Sequence, residues 1–70
     1  MTDEEFVRAR RPGCEIHSRQ AGVYSEYAVR LPGWPYRYLA RSWWPKDEPT
    51  AWFVAANIIR EQDANRKPKP

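Results

Sequence analysis

The sequence predicts an α+β domain: a three-stranded antiparallel meander packed against one long C-terminal helix, with a short N-terminal helix, in the order α-β-β-β-α. Three observations carry that prediction. Polarity alternates from Cys14 to Leu31 on both sides of Ala21-Gly22. Leu31-Pro32-Gly33-Trp34-Pro35 follows as a second turn, where proline presets the first angle and glycine accepts a positive φ. From Ala51 onward the apolar residues recur at helical spacing.

The first helix opens at Thr2-Asp3-Glu4-Glu5. Thr2 and Glu5 have capping-box spacing, so each can satisfy the other's backbone N–H. The acids sit at the positive end of the helix dipole, and Arg8, Arg10 and Arg11 near the negative end. Phe6, Val7 and Ala9 offer an apolar side, and Pro12-Gly13 stops the helix.

Cys14–Gln20 reads as the first strand. Cys14, Ile16 and Ser18 share the core face; Glu15, His17 and Arg19 share the outer one. Val23–Leu31 reads as the second strand. Val23, Ser25, Tyr27, Val29 and Leu31 are expected inward, and Tyr24, Glu26, Ala28 and Arg30 outward. The third strand, Tyr36–Trp44, has large apolar groups on both faces. Arg37 and Arg41 favour the Leu39 side as outer, which leaves Tyr38, Ala40 and Trp44 inward and Trp34 and Trp43 partly exposed.

Lys46-Asp47-Glu48-Pro49-Thr50 starts the main helix, with proline in the first turn and acids at its positive end. It is expected to run to Gln62. Ala51, Trp52, Val54, Ala55, Ile58 and Ile59 form its apolar stripe; Phe53, Ala56, Asn57 and Arg60 point away. Residues 1–62 are thus one domain, and residues 63–70, DANRKPKP, a disordered basic tail.

Seventy residues hold one domain with a small core. The 14% aromatic content suits such a core, since each ring buries roughly 150–250 Å². One cysteine excludes a disulfide within the chain. Cys14 and His17 are the only soft ligands, too few for a structural zinc site, so no metal and no cofactor is expected. On one strand they also face apart, which argues against a nucleophile–base pair. The acidic start MTDEEF has no signal-peptide character, and no apolar run approaches the ~20 residues of a membrane span. The expected setting is a reducing cytoplasm. No carboxylate pair or phosphate-binding glycine loop is present, so no enzyme is expected.

The net charge is +3, and the basic residues of the body are almost all arginine. Arginine pairs bidentately with carboxylate or phosphate and stacks on aromatic rings. Arg30, Arg37 and Arg41, with Tyr24, Trp34 and Trp43, therefore form a candidate binding surface on the outer sheet face. A surface of this composition suits a protein hot spot or a nucleic-acid platform. Its bland alternative is aromatics in the core and a solvated arginine face. Phe53, with Asn57 and Arg60, is a second candidate on the outer helix face.

Three strands followed by a helix, from Cys14 to Gln62, resemble the small DNA-binding domain of tyrosine recombinases and plant-type AP2 proteins. That resemblance implies a sheet entering the major groove, with Arg19, Arg30, Arg37 and Arg41 reading groove and phosphates. This chain departs from it in its modest charge and in the rigid Leu31-Pro32-Gly33-Trp34-Pro35 turn. The chain also resembles small free-standing proteins of bacteriophages and prophages, anti-CRISPR proteins among them. The likeness lies in size, layout and the alanine-bearing closing helix TAWFVAANII. It implies a non-catalytic protein that binds a host protein or nucleoprotein complex, with inhibition of a host defence system as the outcome. Direct DNA binding through the sheet arginines is the first alternative, and a structural homo-oligomer joined through Phe53 or Trp34 the second.

Overall fold

A computed structural model describes residues 1–35, 37–39 and 43–66. Its elements are α1 (Asp3–Arg10), β1 (Glu15–Ala21), β2 (Tyr24–Leu31), β3 (Arg37–Tyr38) and α2 (Glu48–Asn65). The sheet order is β1-β2-β3 with both pairings antiparallel, the meander expected from the sequence.

Local chemistry explains the element ends. The Thr2 hydroxyl accepts from the Glu5 N–H, and the Glu5 carboxylate accepts from the Thr2 N–H, completing the capping box. Asp47 caps α2 by accepting from the Thr50 N–H at 2.8 Å, with Pro49 in the first turn. Ala21 and Tyr24 pair across a two-residue loop of Gly22 and Val23. Gly22 has φ +64° and no non-glycine residue has positive φ among the described residues, which matches a type II′ hairpin turn. Val23 therefore belongs to the turn and is 87% exposed, where strand alternation had placed it inward.

Both helices lie on one side of the sheet's contacts. α2 packs on β2 and α1 packs on α2. Val7, Cys14, Val29, Leu39, Trp52, Ala55, Ala56 and Ile59 form the buried cluster, with Phe6, Ile16, Leu31 and Ile58 against it. Ala56, expected to point away, is fully buried. An alanine there lets α1 approach closely, so α2 buries a wider arc than contact with the sheet alone requires. Helix α2 also extends beyond Gln62. Asp63 accepts from Arg10 at 2.9 Å and Arg11 at 3.2 Å, so the first tail residues belong to the helix. Residues 67–70 of the expected tail lie outside the described residues.

The third strand differs most from expectation. Only Arg37 and Tyr38 pair as a strand, opposite Leu31 and Arg30. The Leu39 N–H donates to the Val29 carbonyl, and the Tyr27 N–H donates to the Pro45 carbonyl. Leu39 and Pro45 are six positions apart yet bond residues only two apart on β2, so one alternating ladder does not join them. The faces are reversed as well. Leu39 is buried in the core, whereas Tyr38 shares the outer face with Arg30. Trp44, expected inward, is exposed.

Candidate functional site: the outer face of the sheet

The pairing register fixes which side chains share the outer face. Directly opposed residues point the same way. Glu15 pairs with Arg30, His17 with Ala28, Arg19 with Glu26 and Ala21 with Tyr24, and Arg30 pairs on its other side with Tyr38. No helix packs on these residues, and Trp43 reaches them from the segment that follows β3. Its ring lies 5.0 Å from that of Tyr38, which in turn meets His17 edge-on at 6.5 Å. Arg19 stacks over Trp43 at 4.7 Å and Lys46 over Tyr24 at 5.3 Å. Ala28 is 2% exposed although it faces away from both helices. That burial requires cover on the outer side, and the His17–Tyr38–Trp43 array supplies the large side chains there.

Carboxylates hold the cations in place. Arg19 Nε donates to Glu26 at 3.0 Å and Lys46 donates to the same carboxylate at 3.2 Å. Arg30 donates to Glu15 at 3.0 Å, and His17 Nε2 lies 3.2 Å from that carboxylate. The His17 and Arg30 hydrogen bonds hold the Glu15 carboxyl below its usual pKa. Arg19, with Lys46 adding to it, does the same for Glu26. This face therefore carries interleaved charges of both signs around an aromatic centre.

Of the seven residues expected to bind a partner, the six described separate into three groups. Arg30 and Trp43 share the outer face. Trp34 belongs to the β2–β3 connection and Arg37 opens β3 just after it. Trp34 is 83% exposed. Arg37 stands opposite Leu31, on the side that also carries Leu39, and so leaves the outer face to which it was assigned. Phe53 and Arg60 lie on α2, across the sheet from Trp43. Arg60 stacks on Phe6 at 4.5 Å, bonds Asn57 at 3.2 Å and approaches Asp3 at 3.8 Å. With Arg10 also over Phe6 at 5.2 Å, it joins the two helices. Phe53 is exposed as expected. Arg41 lies outside the described residues.

Sequence reasoning brought Arg19 to this face only through the resemblance to a DNA-binding domain, and left out Tyr38, Glu15, Glu26 and Lys46 as members of one site. The i to j spacing of Arg19 and Glu26 about the Gly22 turn is the signal that pairs them. Tyr38 needed the register of a two-residue strand.

Other locations offer less chemistry. Cys14 is buried in the core, where desolvation raises its thiol pKa, while His17 lies on the outer face. Among the described residues no group of three or more His, Cys, Asp or Glu side chains could hold a metal ion. No helix of the described residues is long and apolar enough to cross a membrane. An open cleft of about 340 Å³ lies between the first turns of the two helices, bordered by Asp3, Glu4, Glu48 and Trp52. Glu4 is already bonded to Arg8 at 2.9 Å, and Asp3 faces Arg60.

No family model, curated protein or solved structure matches this chain, so its affinities are read from the geometry of the outer face.

Proposed function

We propose that this chain is a non-catalytic binding protein that docks another protein through the outer face of its sheet. One observation carries the reading. Arg19 and Arg30 are each held by a carboxylate at 3.0 Å beside the Tyr38–Trp43 pair. A phosphate-reading surface needs cations that can neutralise phosphates and release counterions. Here two of the four arginines that a DNA-binding role would use already share their charge with Glu26 and Glu15. Preorganised arginine, tyrosine and tryptophan with carboxylates interspersed suit a protein hot spot, where polar groups of both signs find complements.

The narrower proposal is that the target is a bacterial nucleic-acid-processing complex, that binding inhibits it, and that the setting is the bacterial cytoplasm. Support for this part is the likeness in size and layout to small phage and prophage proteins.

A titration with random-sequence duplex and single-stranded DNA over a salt series tests the choice of partner class. The expected result is no binding tighter than the roughly 10⁻⁴ M end of nonspecific affinities at physiological salt. Micromolar binding with a steep salt slope, weakened by Arg37→Ala or Arg30→Ala, would replace the protein partner with DNA.

A further inference from the structure

The two edges of the sheet are built differently. The β3 edge has two paired residues, with Pro32 and Pro35 before it and Pro45 after it. The β1 edge has seven residues, no proline and an unbroken register from Glu15 to Ala21. Among the described residues, β1 packs substantially only against β2. Ala21 and Tyr24 close a two-residue loop and so form a hydrogen-bonded pair. Alternation then directs the backbone groups of Glu15, His17, Arg19 and Ala21 toward β2. Those of Ile16, Ser18 and Gln20 face the free edge. The other side of β2 agrees with this phase, since Tyr27 and Val29 direct their bonds to Pro45 and Leu39. A straight, proline-free edge of this length is a template for another strand.

We propose that β1 pairs antiparallel with β1 of a second copy, about a two-fold axis normal to the sheet that passes midway between the two copies of His17. Such an axis keeps like faces together, so one residue of the strand must stand opposite its own copy, with the axis between the two. Centred on His17, it sets Glu15 opposite Arg19 of the second copy, and Arg19 opposite Glu15 of the second copy. Ile16 and Ser18 exchange the backbone hydrogen bonds. The Glu15 and Arg19 pairs then fall at the non-hydrogen-bonded positions, where opposed side chains come closest. Across four strands the charges alternate: Glu26, Arg19, then Glu15 and Arg30 of the second copy. The two outer links of that row, Arg19 with Glu26 and Arg30 with Glu15, are already present at 3.0 Å in each chain, and the dimer adds the inner one. An axis centred on Ser18 would set His17 opposite Arg19 and Glu15 opposite Ala21, which removes both ion pairs. An axis centred on Ile16 would run the ladder into Cys14, whose N–H and carbonyl are engaged by Arg11 and Arg8. The His17 register joins the two outer faces into one continuous surface. It does not depend on what that surface binds.

Sedimentation over a concentration series tests the proposal. The mass should rise from 8.3 kDa toward twice that value. With an interface at the small end of specific contacts, the dissociation constant is expected on the order of 100 μM. Ser18→Pro removes an N–H that faces the free edge, and should leave a folded monomer by circular dichroism. Glu15→Arg and Arg19→Glu should each give monomers, because each sets like charges opposite one another. Mixed in equal amounts, these two variants should restore a dimer. The proposal is overturned by a wild-type monomer throughout, by a dimer that survives in folded Ser18→Pro, or by a mixture that stays monomeric.

Discussion

Val29 and Ala28 are neighbours in β2, both almost fully buried, and covered by different materials. Val29 meets Leu39, Trp52 and Ile59 within the cluster beneath the helices. Ala28 lies under an array of His17, Tyr38 and Trp43, bounded by ion pairs. The helix face excludes water with hydrocarbon and gains stability roughly in proportion to the area buried. The outer face is a thin cover whose charged margin remains in contact with water. The first arrangement holds the fold. The second holds a surface in a defined shape, which lowers the ordering cost of the docking proposed there.

Substitutions should separate the two faces. The largest effect belongs to Ile59→Ala on the helix face, a full truncation at a site with no exposure. It should cost about 2–5 kcal/mol, read as a lower urea midpoint. For a chain of this size that is a large share of total stability. Trp43→Ala should cost less, about 1–3 kcal/mol, because the ring is half-buried and covers little hydrocarbon. Its NMR signature should be local: the His17 and Tyr38 resonances move while the Ile59 methyl groups stay in place.

Acid should act chiefly through the outer face and the helix caps. Glu15, Glu26, Glu5 and Asp47 all have lowered pKa values in the fold. Groups held below their unfolded values contribute stability that is present above those values and lost as pH falls through the folded ones. The melting temperature should therefore be flat near neutrality and fall below about pH 4.5, the ordinary glutamate value. Glu26→Gln should reduce that slope. A melting temperature unchanged between neutrality and about pH 3 would contradict the assignment. The smallest effect is expected from Arg19→Ala, below about 1 kcal/mol, since the ion pair is exposed on the arginine side. A double-mutant cycle with Glu26→Ala would measure the coupling directly.

Much of the helix face was legible in the sequence. Capping residues and a type II′ glycine act locally, so their positions in the chain suffice. The stripe from Ala51 to Ile59 is legible for the same reason, apart from Ala56. That residue shares the buried cluster with Val7 of α1, and no periodicity within α2 can report a second helix packed on it. The outer face was less legible because it depends on β3. Tyr38, Leu39, Trp43 and Trp44 offer large groups to both sides, and Arg37 pointed the alternation the wrong way. What decides the register is the pair of hydrogen bonds from Leu39 to Val29 and from Tyr27 to Pro45. Both are pairing events between distant residues.

The most direct test of the central claim compares the faces in the same experiment. A photo-crosslinking residue replaces Tyr24 on the outer face in one variant and Phe53 on α2 in another; both sites are exposed, at 60% and 53%. Each variant is irradiated in living bacterial cells. The account predicts a discrete protein adduct from the Tyr24 position and none from the Phe53 position. An adduct confined to the Phe53 position, or one to nucleic acid from the Tyr24 position, would contradict it.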